Sequence, residues 1–229
     1  MAENALIVGA GSGLSRALAE LFHAEGMNIG LAARDTDKLG ELATKIKAKT
    51  FTCDVCDPGN VDALFDNYTK DIGTPEVVAY NPSYRVRGPF TELDRDEVKQ
   101  TLLTTAYGGF LIGQAAAKLM QAAGHGTILF TGASASVKGY AQSAPFAMGK
   151  FGLRGLAQSM ARELQPQNIH VAHFVIDGGI ERENDPRSNH GKNGLLAPDE
   201  IAKSYLYVHR QHRSAWTWEI ELRPWVENF

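Results

Sequence analysis

Apolar positions along this chain come in two arrangements: short unbroken runs, and longer stretches with an apolar residue every three or four places. The run Ala5-Leu6-Ile7-Val8 predicts a buried strand, and after a glycine turn Leu14, Ala17, Leu18 and Leu21 line one side of a helix. Residues 28–33 predict a second strand, and the next helix carries Leu39, Leu42 and Ile46 behind a cap at Asp35 or Thr36. Residues 50–53 predict a third strand. Asp57-Pro58 then supplies an N-cap and a proline at the first helical position, ahead of Val61, Leu64 and Phe65. Residues 77–80 predict the fourth strand.

A long helix is expected over 97–123, where Gly108, Gly109, Gly113 and Ala115-Ala116-Ala117 suit close helix packing. A fifth strand follows at 127–131, a helix at 145–164 and a sixth strand at 169–176. Residues 177–198 are polar and rich in charge and turn formers; Pro198-Asp199-Glu200 starts a last helix, and 218–222 predicts a final strand. Strands alternating with helices imply a parallel sheet covered on both faces. The expected fold is α/β: a Rossmann-type doubly wound sheet, one domain over 1–229, with 181–198 as a mobile substrate-loop insertion. Ligands of such sheets bind beyond the carboxyl ends of the strands.

Composition narrows the function classes. The 229 residues are 44% hydrophobic and 21% charged, as in ordinary globular domains, and the net charge of −3 gives no footprint for nucleic acid. No apolar run is long enough for a signal peptide or membrane span, so a cytoplasmic protein is expected. Cys53 and Cys56 form a lone C-x-x-C without a second pair or a thioredoxin-like helix, and are expected to be reduced packing residues. His170 and His173 fall on opposite faces of a strand; His209 and His212 could share a helical face, but no carboxylate or cysteine cluster accompanies them. No metal site is expected.

The turn Gly9-Ala10-Gly11-Ser12-Gly13 needs glycines for unusual backbone angles and for close approach of phosphates, which the following helix N-terminus attracts. Leu14 occupies the last glycine of the generic G-x-G-x-x-G, but Gly9-x-x-x-Gly13-Leu14-Ser15 resembles the T-G-x-x-x-G-I-G turn of short-chain dehydrogenases/reductases. Val8 replaces its threonine and Ser15 its final glycine. Asp54-Val55 looks like the family's adenine-contacting D-V, Tyr80-Asn81-Pro82-Ser83 like N-N-A-G, Phe146-Ala147-Met148-Gly149-Lys150 like Y-x-x-x-K, and Asp177-Gly178-Gly179-Ile180 like P-G-x-[IV]. The resemblance covers nearly the whole chain. It implies a nicotinamide dinucleotide held by Gly9, Gly11, Ser12, Gly13, Leu14, Asp54, Val55, Asn81, Lys150, Gly178 and Ile180. At the end of the second strand Ala33 stands where an acidic residue would bind the ribose of NAD, and Arg34 offers a fork suited to the 2′-phosphate, which favours NADP(H) over NAD(H).

In the family a tyrosine exchanges a proton with the substrate oxygen, a lysine four residues on supports it, a serine thirteen residues upstream orients the carbonyl, and an asparagine in the long helix supports a water relay. Here Lys150 is present, but Phe146 stands at the tyrosine position and has no proton to give. Ala133 stands at the serine position with Ser134 beside it, and Thr105 where the asparagine would be. Substitute acids to test are Tyr140, Tyr80, Tyr84, or a water held by Lys150 and Ser134. Arg182 stands where the family often has threonine, and the charged loop 181–185 either closes over substrate or is a solvated connection. The expected function is an NADP(H)-dependent oxidoreductase with an atypical proton donor, acting on an unidentified small molecule. The alternative is a catalytically silent NADP(H)-binding protein, a redox sensor or assembly subunit. The resemblance also implies a homodimer or homotetramer built on the two long helices and on the last helix with its strand. Trp216, Trp218, Trp225 and Phe229 fit either a subunit contact or packing on their own domain.

Overall fold

The structure, a computed structural model, describes residues 2–182 and 193–227. Seven strands form one parallel sheet in the order β3-β2-β1-β4-β5-β6-β7. They are β1 (Asn4–Val8), β2 (Asn28–Ala33), β3 (Lys49–Thr52), β4 (Val77–Tyr80), β5 (Gly126–Thr131), β6 (Ile169–Ile176) and β7 (Glu219–Leu222). The strands expected from apolar runs are all present, with ends displaced by no more than one residue, the usual uncertainty of element boundaries. The order reverses between β1 and β4, which leaves a crevice at their carboxyl ends.

Because side chains alternate across a strand, the sheet sorts the core into two layers. Ala5 and Ile7 of β1 and Phe174 of β6 face α1 (Leu14–Ala24), α2 (Gly40–Ile46) and α7 (Pro198–His209). Leu6 and Val8 face α3 (Pro58–Asp71), α5 (Gly108–Ala123) and α6 (Ala144–Leu164). Burial on both faces explains why the strands read as unbroken apolar runs. The small residues act as expected: a Cβ on Gly109 would fall 2.5 Å from Leu153, so α5 and α6 approach closely only because it is absent.

Two expectations change. The long helix starts earlier, at α4 (Arg95–Leu102), because Asp94 caps it by accepting from the amides of Asp96 and Glu97 at 2.9 Å. It is also interrupted: Leu103–Tyr107 form a π turn before α5 begins. The last helix stops at His209, so His212 does not share its face; the His212 ring instead accepts from the amide of Ser214. The expected mobile loop lies outside the described residues over 183–192. Its flanks are described and zip together, Glu181 N donating to the carbonyl of Leu196 at 2.9 Å and Leu196 N to that of Gly179 at 2.8 Å.

Candidate active site

The candidate residues gather along the carboxyl edge of the sheet, each in the turn after a strand or in the helix facing it. After β1, Gly9 adopts φ +80, and its amide and that of Ala10 both donate to the Ala32 carbonyl at 2.9 Å. A Cβ there would lie 2.7 Å from the Pro82 nitrogen, so glycine is required by conformation and by space. A Cβ on Gly11 or Gly13, in contrast, would meet no atom within 4 Å. Gly13 is the N-cap of α1 and supplies no side-chain cap. Unclothed backbone over a helix start with free amides suits a phosphate. The exposed Ser12 borders it, and Leu14 turns into the core.

A residue that sequence reasoning treated only as a departure proves central to this turn. Ser15 is buried, and its hydroxyl donates to the Gly9 carbonyl at 2.9 Å while accepting from the Asn81 side-chain amide at 2.7 Å. Asn81 N in turn donates to the Val8 carbonyl at 3.0 Å. The chain Asn81–Ser15–Gly9 therefore ties the end of β4 to the turn after β1, across the crevice. Nothing local announces it, because the partners are 66 residues apart.

Arg34 is exposed after β2, and Ala33 is buried. Its charge lies close enough to Tyr84 to oppose the rise in that hydroxyl's pKa, which comes chiefly from donation to Glu97 at 2.7 Å. After β3, the Asp54 carboxylate accepts from the Cys56 amide at 3.0 Å and Val55 packs under the start of α5. Cys53 is a free thiol that burial pushes up to about 12, and Cys56 is likewise free and raised, so neither is an activated nucleophile. Among the described residues no cluster of metal-ligating side chains occurs.

The far side of the crevice is built by α6 and the turn after β5. Lys150 is 2% exposed, and its ammonium group donates to the Thr131 carbonyl at 2.7 Å. No described carboxylate pairs with it, so burial alone pushes the amine down to about 7. One helical turn earlier Phe146 is half-buried, with the Arg85 guanidinium 5.1 Å and the Lys150 nitrogen 5.9 Å from its ring centre. Gly149 abuts Thr105 of the π turn; the Thr105 hydroxyl is buried and has no hydrogen-bond partner among the described residues.

The serines divide their roles. Ser134 is half-buried in the turn after Ala133. Ser136 is fully buried, accepting from the Ala133 amide at 3.1 Å and lying 3.3 Å from His173 Nε2. His173 Nδ1 faces Glu219 at 3.1 Å, and Arg154 grips the same carboxylate at 2.6 and 2.8 Å. Burial pushes His173 down to about 4, so it is neutral at ordinary pH. This set joins β6, β7, α6 and the turn; sequence offered no sign of it. After β6, Asp177 is buried between Lys138 at 3.0 Å and Arg223 at 3.5 Å, and Gly178 takes φ +153 against Pro224. Ile180 pairs with Leu196, and Arg182 is exposed.

The substitute hydroxyls fare differently. Tyr80 is fully buried, donates to the Thr104 carbonyl in the π turn and is pushed well above its usual range, so it packs and does not titrate. Tyr140 is 46% exposed.

Fold and edge together define a doubly wound dinucleotide-type α/β protein whose crevice pairs a glycine turn with a buried helical lysine. The family model described as "short chain dehydrogenase" matches residues 3–190. The chain is 32% identical over 188 residues to trans-4-hydroxycyclohexanecarboxylate dehydrogenase of Sinomonas cyclohexanicum, covering 77% of this chain and 72% of that one. A short-chain dehydrogenase structure from Rhodopseudomonas palustris superposes with a TM-score of 0.84 at 33% identity, covering 97% of this chain and 99% of the other. A metagenomic short-chain oxidoreductase in complex with NADP superposes at 0.85, with 23% identity and 98% of each chain covered. The protein belongs to the short-chain dehydrogenase/reductase family, a family of oxidoreductases.

Proposed function

We propose that this protein is an NADP(H)-dependent oxidoreductase acting on a small molecule with a proton donor other than tyrosine. The observation that carries the reading is one crevice with two facing halves: open backbone over an uncapped helix start, and a buried lysine one turn beyond the tyrosine position. The residues fit a dinucleotide. Gly9, Gly11, Ser12, Gly13 and Leu14 would hold its pyrophosphate, Asp54 and Val55 its adenine, and Asn81, Lys150, Gly178 and Ile180 its nicotinamide end. Arg34, exposed beside Ala33, would meet the ribose 2′-phosphate, and the fold neighbour that holds NADP is in keeping with that choice. When bound, the nicotinamide supplies hydride transfer; the chain orients the partners, which by itself contributes much of such catalysis. Ser134 would orient the substrate oxygen beside Phe146.

A second reading, a silent NADP(H)-binding protein, draws on Phe146 itself, a ring with a cation on its face where the family has its acid. Fluorescence titration with NADPH and NADH, followed by turnover on carbonyl, enone and imine substrates, separates the two. The oxidoreductase reading expects NADPH to bind at least about tenfold tighter than NADH and turnover that disappears in Lys150→Ala. Equal affinities would refute the role of Arg34. Binding without turnover, with carbonyl reduction gained only in Phe146→Tyr/Ala133→Ser, would establish the silent reading. Tyr107, Phe110, Met148 and Phe151 are each 41–52% exposed on the long helices and support a homodimer or homotetramer. In contrast, Trp216 and Trp218 are half-buried against their own domain, stacked on His170 and beside Arg154.

A further inference from the structure

We propose that Lys150 is itself the proton donor of this site, its ammonium group delivering a proton to the substrate heteroatom that the family's tyrosine would otherwise protonate. The inference rests on the oxidoreductase reading. It begins from elimination by geometry. The Tyr80 hydroxyl is spent on the Thr104 carbonyl deep in the core, that of Tyr84 on Glu97, and Tyr140 lies out on the surface. Ser136 is sealed beneath the turn with His173, and His173 carries no ionisable proton to spare at neutral pH. Ser134 keeps a hydroxyl near the site, but a serine hydroxyl is far too weak an acid to give its proton up unaided.

Lys150 meets the requirements that these groups fail. Its ammonium has three protons, and one is engaged by the Thr131 carbonyl. In this proposal the remaining two serve a ligand in the crevice, and the Phe146 ring 5.9 Å from the nitrogen has no hydroxyl to compete for them. The groups recorded beside the nitrogen are the Thr131 carbonyl from β5, His173 from β6 and the Phe146 ring from its own helix, with Arg85 beyond that ring and Thr105 of the π turn against the neighbouring Gly149. The titratable ones are a neutral imidazole and a guanidinium cation. None of them anchors the ammonium as a carboxylate would, and burial alone brings the amine down to about 7. A general acid works best with its pKa near the working pH, and the family's lysine reaches that range here without a tyrosine to serve.

The chemistry balances. In reduction, the substrate carbonyl carbon gains hydride from the reduced nicotinamide, forming a C–H bond, and the C=O π pair moves to oxygen. That oxygen takes one proton from Lys150 Nζ, leaving a neutral amine, an alcohol and oxidised nicotinamide; solvent then reprotonates the amine. An imine substrate follows the same path with nitrogen as the acceptor.

The test joins a cofactor-free measurement to kinetics. Carbon-13 labelling of the lysine Cε positions allows each amine to be titrated by NMR. One signal, absent in Lys150→Ala, should titrate with a midpoint near 7. In the kinetic arm, kcat/KM for reduction should fall tenfold per pH unit above that midpoint. Lys150→Arg keeps a cation but cannot release its proton. It should bind NADPH within about tenfold of wild type and lose at least about a hundredfold in turnover. Ethylammonium should restore part of the turnover of Lys150→Ala, with the pH dependence of the added amine. A Lys150 signal that titrates with the other lysines, or a Lys150→Arg enzyme as fast as wild type, would overturn the assignment alone. Wild-type protein that binds NADPH and reduces nothing would overturn the oxidoreductase reading and the assignment together.

Discussion

The turn after β1 and the helix facing β5 border the same crevice, yet they respond to sequence change in opposite ways. In the turn after Gly9 the groups proposed to face the cofactor are backbone amides, and these remain when neighbouring side chains are exchanged. Ser15, standing where the family has a glycine, adds a hydroxyl that locks the turn to Asn81. Around Phe146 the groups proposed to work are side chains, and chemistry can leave with them: the ring offers no proton, and Ala133 no hydroxyl. What remains there is one buried cation with a carbonyl for company. A site made of main chain tolerates drift; a site made of functional groups is rebuilt or abandoned.

The largest effect expected from breaking this contrast is on the lysine. Its pKa in the folded protein is about 7 against an ordinary 10.5, so between those values the unfolded chain binds more protons and stability rises with pH. At pH 7 the buried charge costs roughly 4 kcal/mol, and its hydrogen bond returns about 1. Lys150→Met should therefore stabilise the cofactor-free protein by on the order of 3 kcal/mol at pH 7. The gain should fade as the pH is raised to the ordinary lysine value. Urea unfolding at both ends of that range checks it, and an unchanged midpoint at pH 7 would mean the cation is not held at a penalty.

Next comes the turn. Gly9→Ala places a side chain at positive φ and into the Pro82 backbone, and should cost about 2 to 3 kcal/mol in the same experiment. A loss below half a kilocalorie would show the turn to be far more yielding than its contacts imply. Smallest is Ser15→Ala, which removes two hydrogen bonds and strands the Asn81 amide, for about 1 to 2 kcal/mol. A double-mutant cycle with Asn81→Ala sharpens the comparison: strong coupling is expected, and additive losses would dissolve the proposed clamp.

The sheet was legible because strands buried on both faces are written as apolar runs, and the helices because each buries one stripe. The turns were legible where backbone conformation demands glycine, as at Gly9. What escaped were contacts between segments far apart in sequence. His173 and Glu219 meet only because β6 and β7 pair, and Ser15 finds Asn81 only because β1 and β4 are neighbours. The proposed catalytic side was legible as an absence, Phe146 for tyrosine, while the burial of Lys150 against the Thr131 carbonyl required the packed structure. The π turn was invisible for another reason: nothing in residues 103–107 forbids a straight helix.

That π turn sets a phase. Thr101, Thr105, Gly109, Gly113 and Ala117 are all buried at intervals of four, and in a straight α-helix each such step drifts about 40° around the axis. Wider hydrogen bonding over one turn takes up part of that drift, so both halves of the helix present the same face to the sheet. Straightening the turn to α without removing a residue would leave an unbroken helix with its first eight residues rotated by up to about 100°. Thr101 would swing out of the core and Glu97 away from Tyr84. At this point along the chain, the pattern of backbone hydrogen bonds governs the orientation of the crevice wall.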